Sequence, residues 1–171
     1  CGLCREHKGV RDRDWLTRLY EEYSDDVFRY AMRRLATRED AEDVLVEVFT
    51  VAWRRRTVVP EQALPWLYRT AANTIAHIIR GDTRRGRLQA RLTAVTPLHS
   101  EDQVPDPDLA SALARLAPAD AEILRLWAWE GLEPTEIAEV LDTSPGAART
   151  RLSRAKSRLR QHYESSEEVG S

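Results

Sequence analysis

No apolar run in this 171-residue chain approaches the roughly 20 residues that a membrane-spanning helix needs. The N-terminus lacks the charged-then-apolar pattern of an export signal, so a cytoplasmic location is expected. No glycine-rich phosphate loop occurs, and the paired carboxylates have no His, Lys or metal-ligand companion at a matching spacing. Those absences argue against an enzyme, and no cofactor or small-molecule substrate is expected. Cysteine is nearly missing: Cys1 and Cys4 are the only two, followed by His7 as C-x-x-C-x-x-H. That spacing offers three zinc ligands. No fourth ligand is evident, so a frayed or trimmed terminus over residues 1–13 is the favoured reading. The paired thiols fit a reducing compartment.

Strand-like alternation is missing too, and nearly every periodic segment is helical. With 42% apolar and 32% charged residues, the chain reads as globular rather than disordered. Its formal net charge of −2 argues by itself against a nucleic-acid partner. The distribution points the other way. Arg80, Arg84, Arg85, Arg87 and Arg91 form one basic cluster, broken only by Asp82. Arg149, Arg151, Arg154, Lys156, Arg158 and Arg160 form a second with no acid among them. Two separated basic patches on a near-neutral chain suggest two contacts with a polyanion.

The helical pattern divides the chain. From Asp14 to about Leu35, a stripe of Leu16, Leu19, Tyr20, Tyr23, Val27, Phe28, Ala31 and Leu35 faces a core. Thr37 is placed to N-cap a second helix reaching about Arg56, with Asp40 completing a variant capping box. Pro60 and Pro65 bracket a loop, and Pro65 suits the first turn of a third helix. Residues 14–91 therefore make one helical domain. Residues 92–108 hold prolines and acids without one Lys or Arg, as "TAVTPLHSEDQVPDPD" shows, and read as a flexible linker. Helical periodicity resumes at Leu109, Leu113 and Leu116. Pro118 starts a helix running to Glu130 that Gly131 stops, and Pro134 opens a short one. Ser144 can N-cap the last helix, with Pro145 at its first position. The second domain spans 109–163 and a tail follows over 164–171. The fold class is all-α: two small helical domains on a tether.

Three helix faces carry chemistry. In the third helix, Trp66, Arg69, Asn73, His77 and Arg80 recur at spacings of three and four, opposite Leu67, Ala71, Ile75 and Ile78. An outward stripe of aromatic, amide and cation without an acid suits an unstacked nucleic-acid strand. The bland alternative is that Trp66 and Tyr68 merely cover the edge of the bundle. Arg84 and Arg85 extend the basic track. The segment Thr135 to Arg160 fits a helix-turn-helix, with Ile137, Ala138 and Leu141 packing on Ala148, Leu152, Ala155 and Leu159. Gly146, Arg149, Thr150 and Ser153 then face outward near Ser144, with Arg151, Arg154 and Lys156 flanking them, as a major-groove helix requires. In the second helix, Asp40, Asp43 and Glu47 share a side beside Glu42. Such a stripe cannot approach phosphate, so it faces solvent or a basic protein.

The order of these parts is recognisable. From about Asp14 to Tyr163 the chain resembles a sigma factor of the extracytoplasmic-function group of the sigma-70 family. The resemblance rests on "DAEDVLVEVFTVAW" (40–53), "PWLYRTAANTIAHIIR" (65–80) and the whole stretch 112–160. It implies that Asp40, Asp43 and Glu47 meet the β′ clamp helices of core RNA polymerase. It further implies that the helix around Asn73 melts and captures the −10 element, that the second domain reads the −35 element near the β flap, and that the linker threads the polymerase cleft. Many such proteins are held inactive by an anti-sigma factor, so one is a possible partner here. Three positions depart from the family pattern. Ala72 stands where Arg is frequent, His77 where Asp is frequent, and Glu133 where a Ser or Thr cap is usual, a change worth about 1 kcal/mol. The alternatives are a stand-alone helix-turn-helix repressor using the second domain, and an adaptor that binds polymerase without melting promoters.

Overall fold

The computed structural model describes residues 11–84 and 107–167. Among them every regular element is an α-helix: α1 (Arg13–Met32), α2 (Arg38–Arg54), α3 (Ala63–Arg84), α4 (Pro107–Ala114), α5 (Pro118–Ala128), α6 (Pro134–Val140) and α7 (Pro145–Glu167). The chain divides into two compact units, with the division at Ile78–Ile79 inside α3. Among the described residues no helix is long and apolar enough to cross a membrane.

Local chemistry sets the helix starts in the first unit. Asp12 caps α1 by accepting the Trp15 N–H at 3.0 Å. Thr37 caps α2 as expected: its hydroxyl oxygen accepts the Asp40 N–H at 3.1 Å and donates to the Asp40 carboxylate at 2.5 Å. α1 stops at Met32, short of Leu35, where the Arg34 and Leu35 N–H groups both turn back onto the Ala31 carbonyl. α1 and α2 pack together, burying Leu19, Val27, Tyr30 and Ala31 against Ala41, Val44, Val48, Phe49 and Ala52. Tyr20 differs from the expected stripe: it is 45% exposed and meets Phe49 edge-on at 4.9 Å. The third helix is fastened by Tyr68, which stacks on Tyr30 of α1 at 4.8 Å, while the Arg34 guanidinium lies 3.5 Å from the same Tyr30 ring. A fully buried side chain such as Leu67 contributes roughly 1.5–3 kcal/mol of transfer free energy.

The second unit is built on α7, against which α4, α5 and α6 all pack. α4 begins at Pro107, two residues before the expected Leu109, because Pro suits a first turn and Asp108 complements the helix dipole. Leu109 is 37% exposed, and Ala112 and Leu116 supply the burial instead. Gly131 follows α5 with φ +67, the left-handed geometry that glycine tolerates, and the Leu132 N–H reaches back to the Leu126 carbonyl at 3.1 Å. Between α6 and α7, Asp142 takes φ 52 and the Thr143 N–H bonds the Ala138 carbonyl at 2.9 Å. Asp is one of the few side chains that tolerate this region.

Candidate nucleic-acid interface

α3 starts at Ala63, which puts Pro65 in its first turn, where a missing N–H costs no helix bond. Leu67, Ala71 and Ile75 are buried and Ile78 half-buried; Asn73, His77 and Arg80 are exposed on the other side. Trp66 and Arg69 are only half-exposed, and Val59, Ala63, Pro65 and Tyr68 are buried around the first turns. The outward stripe is therefore fully open from Asn73 onward. Thr70 and Thr74 lie beside it but turn their hydroxyls inward, donating to the Trp66 and Thr70 carbonyls at 2.9 and 3.1 Å. That leaves amide, imidazole and guanidinium as the polar groups of this side. Arg84 ends α3, and Arg85 lies outside the described residues.

On α2 the three carboxylates are not equivalent. Asp40 is half-buried and drawn back onto the Thr37 hydroxyl, so it serves the cap. Asp43 and Glu47 are exposed, with Val46 between them at 67% exposure. Glu42 is held by Arg38 at 2.7 Å. Val46 went unnoticed in the sequence because a lone apolar residue on a charged face gives no periodic signal.

On α7 the expected packing holds: Ile137 and Ala138 are buried with Ala148, Leu152 and Ala155, while Leu141 and Leu159 are half-buried. Ser144 accepts the Ala147 N–H at 3.2 Å, the cap expected of it. Gly146, Arg149, Thr150, Arg151, Ser153 and Arg154 are all exposed. With no Cβ and nothing around it, Gly146 leaves the helix start open to close approach. The position of Glu133 is also less costly than a missing cap suggests, because its own N–H is bonded by the Glu136 carboxylate at 2.8 Å. Lys156 departs from expectation. Its ammonium lies 3.3 Å from the centre of the Trp127 ring and is half-buried. Arg158 is likewise engaged, paired with the buried Asp120 of α5. Neither partner was legible locally, since Asp120 is 38 residues from Arg158.

Cys1, Cys4 and His7 lie outside the described residues. Among the described residues no group of three His, Cys, Asp or Glu side chains could hold a metal ion.

Two stretches of the chain match known family models. Residues 19–85 match the family model of Sigma-70 region 2, and residues 108–159 that of Sigma-70, region 4. The chain is 32% identical over 127 residues to the RNA polymerase sigma factor CarQ of Myxococcus xanthus, covering 71% of this chain and 73% of that one. It is 30% identical over 162 residues to the ECF RNA polymerase sigma factor BldN of Streptomyces coelicolor, covering 88% of this chain. It spans only 61% of that relative's length. Among solved structures, the sigma factor RpoE in complex with the anti-sigma factor NepR from Bartonella quintana superposes with a TM-score of 0.65 at 19% identity. That match covers 91% of this chain and 98% of the other, and at that identity the likeness concerns the fold. The chain belongs to the sigma-70 family, as a sigma factor of the extracytoplasmic-function group.

Proposed function

We propose that this sigma factor joins core RNA polymerase through α2, reads the −35 element with α7, and captures single-stranded −10 DNA with α3, starting strand opening. The observation that carries the proposal is the segregation of charge between α2 and α3. Asp43 and Glu47 are exposed on one helix, and Asn73, His77 and Arg80 on the next. The first face repels phosphate and the second attracts it. An exposed Val46 beside Asp43 on the same helix suits a basic protein surface that also offers an apolar contact, here the β′ clamp. Residues 14–91 would then form the core-binding and melting domain, 92–108 the linker through the polymerase cleft, and 109–163 the −35 domain alongside the β flap. The chain acts in the cytoplasm and has no catalytic activity of its own. The structure of RpoE with NepR motivates one further partner, an anti-sigma factor covering these same faces.

Run-off transcription with core polymerase tests the reading, using a promoter selected from a random-sequence pool. A discrete promoter-directed transcript that depends on the added chain is expected. If polymerase binding persists without a transcript, the adaptor reading replaces this one. If duplex binding persists without polymerase binding, the repressor reading does.

A further inference from the structure

The cations of α7 are not one surface. Helical spacing puts Lys156 and Arg158 about 160° apart across the buried side of the helix. Between them lie Ala148, Leu152 and Ala155, all buried, and α5 packs on this helix. α5 reaches both flanks. Near its start, Asp120, 6% exposed, pairs with Arg158. One residue before its end, Trp127 takes the Lys156 ammonium at 3.3 Å.

We propose that Asp120–Arg158 and Trp127–Lys156 form a two-sided clasp that sets the roll of the duplex-reading helix about its own axis, making these four positioning residues for −35 recognition. Ala148 and Ala155 offer little steric resistance to rolling, which leaves Leu152 as the one large buried side chain between the two flanks. Side-chain tips stand about 5–6 Å from a helix axis, so a roll of roughly 20° moves them about 2 Å. A hydrogen bond does not survive that displacement. One ion pair acts against roll in one direction, and the cation–π contact on the opposite flank acts against the other. Arg149, Thr150, Ser153 and Arg154, exposed on the free side, are then held in register with base edges and phosphates.

The inference rests on α7 being the duplex-reading helix, and its test separates the two claims. Holoenzyme made with the full chain is titrated with a duplex selected from a random-sequence pool and with the same duplex carrying a scrambled upstream element, across a range of salt. Lys156→Gln, Trp127→Leu and Asp120→Asn are each expected to lower discrimination between the duplexes by roughly tenfold, the size of one misread base pair. Lys156→Arg keeps a cation over the ring and restores discrimination. The slope of log K against log[salt] stays unchanged in Lys156→Gln, whereas loss of a phosphate contact lowers its magnitude by about 0.9. Trp127 and Lys156 are both surface-accessible, so their variants carry the test even if Asp120→Asn loses its helical circular dichroism. Unchanged discrimination in both, or a reduced salt slope in Lys156→Gln with discrimination intact, overturns the clasp. Absence of discrimination in the wild-type holoenzyme overturns the reading of α7 itself, and the clasp with it.

Discussion

The unit built on α1 and α2 and the unit built on α7 distribute charge in opposite ways. In the first, acids and bases that face outward are sorted onto different helices: Asp43 and Glu47 on α2 and His77 on α3, which Arg80 continues just past the division between the units. In the second, cations crowd one helix, and the fold then divides them by use. Arg149, Arg151, Arg154 and Arg160 are exposed, while Lys156 sits over Trp127 and Arg158 is paired with Asp120. A count of basic residues therefore overstates the surface that α7 can offer a phosphate backbone. The count of acids on α2 misleads in the same way, because Asp40 is spent on the cap.

The strongest way to break the comparison is to reverse the acidic face. Asp43→Lys with Glu47→Lys is expected to weaken core polymerase binding by more than tenfold in a pull-down, with helical circular dichroism unchanged because both residues are exposed. Intact binding would remove α2 as the docking face. Next comes the first unit's core: Leu67→Ala creates a cavity where the side chain is fully buried, and urea titration should register a loss of about 2–5 kcal/mol. Asp120→Ala should cost less, about 1–2 kcal/mol, since the Arg158 side chain left behind is already 53% exposed and can turn to water. A loss as large as that of Leu67→Ala would mean that Arg158 is far less free to relax. Gly131→Ala has open space but a left-handed φ, so a thermal melt should show about 1 kcal/mol of destabilisation.

The smallest effect is a pH dependence. The Tyr23 phenol is pushed up to about 12, first by its hydrogen bond to Glu22, then by partial burial and by the charges of Glu22 and Asp26. The unfolded chain releases this proton near the ordinary value of 10 while the folded chain keeps it. Stability contributed by this site is thus complete below pH 10 and declines towards pH 12. Tyr23→Phe should flatten that decline in denaturant titrations over the same window, and an unaltered slope would count against the Glu22 contact.

What the sequence made legible is what neighbouring residues decide. The caps of Thr37 and Ser144 depend on groups a few positions apart, and each stands where spacing placed it; the helix expected to reach Glu130 before Gly131 ends two residues earlier, at Ala128. The buried stripes of α3 and α7 followed from periodicity for the same reason. Where the reading slipped, tertiary contact had decided. By its spacing Tyr68 fits an edge cover, yet it is buried on Tyr30 from another helix. Leu109 belongs to the expected apolar stripe and is substantially exposed, whereas Ala112 of α4 and Leu116 just past its end are buried. Lys156 reads in sequence as one more cation beside the outward face, and its contact with Trp127 of α5 is not legible there. No local pattern announces a crossing between helices that far apart in the chain.

The division of promoter contacts between α3 and α7 is the central claim, and footprinting of the holoenzyme on a selected promoter tests it most directly. Hydroxyl-radical cleavage reports upstream duplex contact, and permanganate reactivity of thymines reports melting. Asn73→Ala with Arg80→Ala should abolish permanganate reactivity while leaving the upstream footprint in place; Arg149→Ala with Arg154→Ala should erase the upstream footprint. Loss of both signals together in either variant, with polymerase binding intact, would contradict the account.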